Sequence, residues 1–298
     1  MESYGNKLSG LGSNFHLTGI IPDLKYRLVL GRNTAVAREI GAMQSATPRV
    51  TAALGETMLG AFLLASHSNK DARYSISLQI ECKGPVKRLI AFSGYNGAIR
   101  GHAAEPGADW TGTPRDGMGS GLLKVSRWKD RQNAYTSAVE LHPESIARGL
   151  ELYAARSDQI QSFIRITTRM SEDGRNLEEI SGFMLQALPD ADFDDADRVL
   201  ELAAATDPER MVSAVVTGDD SRRDFQVLNA FNILHYGQFF FLCDCNREKI
   251  ENLVRLLGRD SVENILAEEG RLEIICEFCK KKYRLNKTEI ENLFPGIH

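Results

Sequence analysis

Between Pro48 and Ser66, apolar residues return at Val50, Leu54, Met58, Leu59 and Phe62. That is the spacing of one helical face, and the stretch predicts a helix. Asn33 to Ala42 predicts another. Ser75 to Cys82 instead alternates strictly: Ile76, Leu78, Ile80 and Cys82 share one side, as in a half-buried strand. Further strands are predicted at Val86 to Phe92, Gly121 to Ser126 and Ala134 to Val139. Ser162 to Arg169 and Ile180 to Leu188 flank Glu172-Asp173-Gly174, a turn sequence, and predict a hairpin. Ser145 to Arg156 predicts a helix. Strands outnumber helices and often follow one another through short turns, which is an α+β pattern.

The pattern changes near Pro189. Residues 190–216 predict two helices, the second opened by Asp207 as N-cap, Pro208 at the first helical position and Glu209 in the first turn. Gly218-Asp219-Asp220 interrupts the pattern, and Asp224 to Leu242 is less regular. Beyond it, Asp260 with Glu263 and Asn286 with Glu289 form candidate capping boxes for two short helices. Arg271 to Cys276 and Tyr283 to Leu285 read as strands. The expected organisation is a large mixed helix/sheet domain over residues 1–189, a helical linker over 190–242 and a small domain over 243–298.

Composition refines this picture only modestly. Apolar residues make up 43% of the 298 and charged residues 26%, as in an ordinary soluble globular protein. The cleanest apolar run, Met58 to Ala65, is far shorter than the roughly 20 residues a bilayer span needs. No basic segment followed by an apolar core opens the chain. A cytoplasmic protein with no membrane partner is expected, in a compartment where disulfides do not persist. The net charge of -4 argues against a general nucleic-acid binder. Gly117-Met-Gly-Ser-Gly121 precedes a strand, whereas a phosphate-binding glycine loop opens a helix. There is no G-x-S-x-G elbow and no Walker A pattern, and the histidines fall in no ligand or triad motif. Nothing in the sequence predicts an enzyme.

The cysteines change the picture. Four of the five lie in the last 56 residues, as Cys243-x-Cys245 and, after thirty residues, Cys276-x-x-Cys279. Two close pairs bring four soft ligands to one point once the segment between them folds. Zinc accepts four thiolates in tetrahedral geometry, and a site with four protein ligands is closed to water, so one structural or regulatory zinc per chain is expected. Such binding supplies about 10–16 kcal/mol of apparent free energy to a small domain, and that energy is folding energy. Oxidising the thiolates therefore removes what holds the domain together. The fifth, Cys82, sits on the apolar side of a strand and reads as a small buried hydrophobe.

With these residues in view, the chain resembles the bacterial heat-shock protein 33 family. The likeness is carried by Cys243-Asp-Cys245-Asn-Arg247, Ile265-Leu-Ala-Glu-Glu-Gly270 and Cys276-Glu-Phe-Cys279. Upstream it extends to Leu54-Gly55-Glu56, Lys83-Gly84-Pro85, Arg100-Gly101, Arg156-Ser157 and Gly182-Phe-Met-Leu-Gln-Ala-Leu-Pro189. The resemblance implies an ATP-independent holdase, a stress-response chaperone that is largely inactive when reduced and zinc-loaded. Oxidised, it binds unfolding proteins and tends to form a homodimer. It assigns Cys243, Cys245, Cys276 and Cys279 as the zinc ligands and implies disulfides Cys243–Cys245 and Cys276–Cys279 in the oxidised form. The chain departs from the family pattern just before Cys243, where the usual acidic pair after a histidine is absent. Here His235-Tyr-Gly-Gln238 runs directly into Phe239-Phe-Phe-Leu242.

The rival reading is a zinc-ribbon protein that binds nucleic acid through Lys280-Lys281-Lys282 and Arg284. Residues 243–298 hold ten Lys/Arg against eleven Asp/Glu, a net of -1, so these cations read better as a solvated face that offsets the negative zinc–thiolate centre. Phe239 to Leu242 is an apolar run beside the cysteines, expected as a strand packed on the core.

Overall fold

Helix formation starts from the most apolar stretch of the chain. We number the helices and strands in chain order. The computed structural model describes residues 14–66, 75–128, 134–191, 194–217 and 231–294. Helix α1 is Thr34–Met43 and α2 is Pro48–Ala65. Thr47 caps α2, its hydroxyl accepting from the Val50 amide at 3.2 Å, and Pro48 takes the first position, where its missing N–H costs nothing. Fifteen of the eighteen residues of α2 are buried, so this helix has no solvated face. It lies between two sheets and packs against strands of both. Gly55 permits the closest approach: a Cβ there would stand 2.2 Å from Cδ1 of Ile180.

The first sheet has the order β10-β1-β2-β9-β8, antiparallel throughout: Asn232–Gly237, Phe15–Ile21, Tyr26–Arg32, Leu177–Ala187 and Ser162–Met170. The β8–β9 hairpin turns at Glu172-Asp173-Gly174, as the sequence predicts, with Gly174 at φ 67°. The second sheet has the order β11-β5-β4-β3-β6-β7, formed by Phe240–Phe241, Ala98–Ala103, Arg88–Ser93, Ile76–Cys82, Gly121–Trp128 and Ala134–Glu140. Here only β11 runs parallel to its neighbour.

Both faces of the first sheet are covered. Val29, Ile180 and Met184 face the core around α2, whereas Phe15, Leu17, Leu28, Leu30, Phe183 and Leu185 face a second core. That second core is closed by α4 (Asp194–Ala205) and α5 (Pro208–Thr217) through Val199, Ala203, Met211 and Val212. Helix α3 (Ile146–Tyr153) is capped by Ser145. Asp207 caps α5 as expected, accepting from the Arg210 amide at 2.8 Å.

The chain divides into two compact units, Met1–Phe241 and Leu242–His298. The segment read as a linker, 190–242, is built largely into the first unit: α4 and α5 close its second core, and β10 and β11 are edge strands of its two sheets. The expected break at Gly218-Asp219-Asp220 and residues 224–230 lie outside the described residues.

The second unit holds α6 (Arg247–Leu257), α7 (Arg259–Glu269), a β12–β13 hairpin (Leu272–Ile275, Lys282–Leu285) and α8 (Lys287–Leu293). Helix α6 was not anticipated from the sequence. Asn246 caps it, and only Ile250 and Val254 are buried along it. The expected box at Asp260 is not formed: Gly258 occupies the N-cap of α7, and Asp260 falls in the first turn. The Asn286/Glu289 box is formed as expected, with both reciprocal hydrogen bonds.

Candidate metal centre

The two cysteine pairs are delivered by different local devices. Cys243 and Cys245 sit on an extended approach that ends at the Asn246 cap of α6, where Asn246 Oδ1 accepts from the Lys249 amide at 2.9 Å. Asp244 between them is held by an ion pair with Lys249. Cys276 and Cys279 occupy the turn of the β12–β13 hairpin. The Cys276 amide donates to the Lys281 carbonyl and the Lys280 amide to the Cys276 carbonyl, both at 2.9 Å. Lys280 takes the left-handed conformation, φ 57°, that closes this knuckle.

These devices bring all four sulfurs within 4.8 Å of one another. Cys243 Sγ lies 3.7 Å from Cys276 Sγ, and Cys245 Sγ lies 3.4 Å from Cys279 Sγ. No two are bonded, since a disulfide needs about 2.05 Å. A tetrahedron with metal–sulfur bonds of about 2.3 Å has sulfur–sulfur edges of about 3.8 Å. The four thiols therefore fit a divalent ion such as zinc in both donor type and spacing. All six edges of a tetrahedron are equivalent, so this spacing is silent on which pairs join when oxidised.

Electrostatics point the same way. Burial and the neighbouring thiols push the Cys243 thiol well above its usual range. Burial also opposes the Cys245 thiolate, but the Tyr283 hydroxyl and the surrounding thiols outweigh it and lower that thiol. Four thiolates this close repel strongly without a cation between them. Tyr283 Oη donates to Cys245 Sγ at 3.2 Å, a contact that the sequence reading missed. The ring of Tyr283 is also a core residue of this unit. Its only sequence signal is its place on the strand leaving the knuckle. Lys281 lies over this ring at 5.2 Å. Lys282 and Arg284 are both ion-paired to Glu273 across the hairpin. Cys82 lies apart on β3, partly buried against the main core, as expected of a small hydrophobe.

The core beneath the cysteines is thin. It consists of Ile250, Val254, Val262, Leu272, Tyr283, Leu285, Ile290 and Leu293. Leu253, Leu256 and Leu257 of α6 stay exposed, Leu256 at 85%.

In the first unit, the segment leading into the cysteines acts as a strap across both sheets. β10 pairs with β1, and two residues later β11 pairs with β5. Between them Phe239, only 3% exposed, inserts beside Phe62 of α2, edge to face at 4.7 Å. The Phe239 carbonyl accepts from Asn14 Nδ2 at 2.7 Å, and the Phe240 amide donates to the Gly97 carbonyl at 3.1 Å. The packed strand expected at Phe239 to Leu242 is present, shortened to Phe240–Phe241. Leu234, Tyr236 and Phe240 remain exposed along the strap.

Fold and site together define an α+β protein with a small unit gathered around four cysteines that could hold one metal ion. The family follows from comparison with known proteins: a family model described as Hsp33 protein matches residues 16–286, and the chain belongs to the Hsp33 family. A 33 kDa chaperonin of Geobacter sulfurreducens is 31% identical over 257 residues, covering 84% of each chain. One of Symbiobacterium thermophilum is 30% identical over 282 residues, covering 89% of this chain and 91% of the relative. The crystal structure of the 33 kDa chaperonin from Thermotoga maritima has the same fold, with a TM-score of 0.79 over 94% of this chain and 97% of that one, at 24% identity.

Proposed function

We propose that this chain is a redox-regulated, ATP-independent holdase that protects unfolding proteins from aggregation under oxidative stress in the cytoplasm. The observation that carries the reading is the convergence of Cys243, Cys245, Cys276 and Cys279 within 4.8 Å. Family membership supports the chaperone part. Among the described residues no helix is long and apolar enough to cross a membrane.

In the reduced state the four thiolates hold one zinc ion, which cross-links the approach to α6 with the hairpin knuckle. Two equivalents of a two-electron oxidant such as hydrogen peroxide take four electrons from the four sulfurs. One sulfur–sulfur bond forms between Cys243 and Cys245 and another between Cys276 and Cys279, and each peroxide takes two protons from solvent and leaves as two waters. Sulfur in a disulfide carries no negative charge and is a poor ligand, so the ion is lost with the thiolates. The thin core of residues 242–298 then stands without its cross-link. The strap is joined to this unit through Leu242, so its C-terminal anchor becomes an unfolded chain. Apolar surface freed in this way binds unfolding polypeptides without nucleotide. The oxidised form pairs as a homodimer through the same exposed surface.

The test follows oxidation in one sample. Peroxide with mild heat should release one zinc per chain, produce disulfides mapped by mass spectrometry to Cys243–Cys245 and Cys276–Cys279, and raise binding of an apolar dye. Reductant plus zinc should reverse all three. Zinc retained through full oxidation would contradict the reading.

A further inference from the structure

The strap closes over a histidine that no part of the redox reading uses. His16, on β1, is completely buried, and neither ring nitrogen has a hydrogen-bond partner in good geometry. Its ring lies 4.7 Å from Phe62 of α2, 5.2 Å from Phe239 and 5.3 Å from His235 of β10, which stacks on it at 14°. Backbone seals the remaining side. A Cβ on Gly97 would stand 2.5 Å from His16 Nε2, and one on Gly237 would stand 3.0 Å away. His235 in turn lies 4.6 Å from Tyr95 on the β4–β5 turn.

We propose that this stacked histidine pair is a proton-sensitive latch: protonation undocks the strap, residues 232–241, from the edges of both sheets. Two imidazoles in a stack cannot both be charged without strong repulsion, and a buried cation without a partner is costly. Among the described residues, the following groups face the pair. His235 comes from the strap, and Tyr95 and the Asn96 backbone come from the β4–β5 turn, with Arg27 of β2 beside Tyr95. α2 and Phe239 contribute only rings. Burial first, and then His235, hold His16 down to about 3 against its ordinary 6.5, and only the Asn96 backbone favours its charge.

The direction of the effect follows. The docked strap requires neutral His16, whereas the undocked strap leaves the ring in water with its ordinary affinity for a proton. Docking therefore has full strength above about pH 6.5. It weakens by about tenfold per pH unit as pH falls below that, until about pH 3. This latch is independent of the cysteines, and its test does not depend on chaperone activity.

Hydrogen exchange on the reduced, zinc-loaded full chain decides it. After correction for the intrinsic pH dependence of exchange, protection of residues 232–241 should fall by about fivefold from pH 6.5 to 5.5 in the native sequence. It should not change with pH in His16→Phe, which keeps a ring but cannot take a proton. Acid-driven loss of zinc acts on both chains alike, so the difference between them reports the latch. Constant protection in the native sequence, or an equal fall in both chains, would overturn the proposal. Should His16→Phe fail to fold, the NMR titration of the His16 ring decides instead. A ring still neutral at pH 5 is expected, and a midpoint near 6.5 overturns the latch.

Discussion

Stripping zinc from the reduced chain should unfold residues 242–298 and leave the inner strands of both large sheets folded. The second unit buries eight apolar or aromatic side chains and exposes three leucines of α6. A domain of this size is marginal without a staple. Structural zinc sites in small domains contribute about 10–16 kcal/mol of apparent binding free energy, as much as the roughly 5–15 kcal/mol of net stability typical of a whole domain. Four thiols packed within 4.8 Å also repel one another strongly when ionised. Chelation under reducing conditions should therefore abolish the protection of α6, α7 and α8 against hydrogen exchange while β3, β4 and β9 stay protected. Serine at any one of Cys243, Cys245, Cys276 or Cys279 should weaken zinc binding sharply and reproduce the loss. Cys82→Ser, on β3 in the first unit, should retain one zinc per chain. Full zinc retention by two of the four single variants contradicts a four-thiolate site.

The second large effect is expected at Phe239. This ring is 3% exposed and fills the space between Phe62, His16 and the β2 backbone at Gly31, where a Cβ would already lie 3.0 Å from it. Truncating a buried phenylalanine to alanine costs about 3–5 kcal/mol. Most of that loss should appear locally, because β10 and β11 are edge strands and can leave without opening either sheet. Phe239→Ala should therefore free residues 232–241 in the reduced, zinc-loaded protein, raise apolar-dye binding and give partial client protection without oxidant. Unchanged exchange of 232–241 together with unchanged dye binding would show that Phe239 does not hold the strap.

Local signals in the sequence survived into the structure, and non-local ones were hidden. Helix α2, strand β3, the β8–β9 hairpin and the Asn286/Glu289 box each announce themselves within a dozen residues. Strands β1 and β2 do not, because the first sheet is covered on both faces. Leu28 and Leu30 face one core and Val29 the other, so the alternation that marks a half-buried strand disappears. Helix α6 does carry a local signal, Ile250, Leu253, Val254 and Leu257 at helical spacing behind the Asn246 cap, although only Ile250 and Val254 are buried. At α7 the cap went to Gly258, two residues before Asp260, so Glu263 falls five residues past the cap and beyond the position a capping box needs. The four cysteines were legible because their residue type and paired spacing are restrictive. The Tyr283 hydroxyl on Cys245 was not, since only the hairpin register brings it there. The stacking of His16 on His235 was invisible for the same reason: it arises from the pairing of strands at opposite ends of the first unit.

Oxidation of the four-cysteine centre is proposed to switch on protection of unfolding proteins. Light scattering of a thermally unfolding client tests it most directly, with this chain added either reduced and zinc-loaded or oxidised and zinc-free at equal concentration. The expected result is that the client aggregates with the reduced form, stays soluble with the oxidised form and aggregates again after reductant and zinc are restored. Equal suppression by both forms, or suppression by neither, would rule out an oxidation-driven switch in this chain.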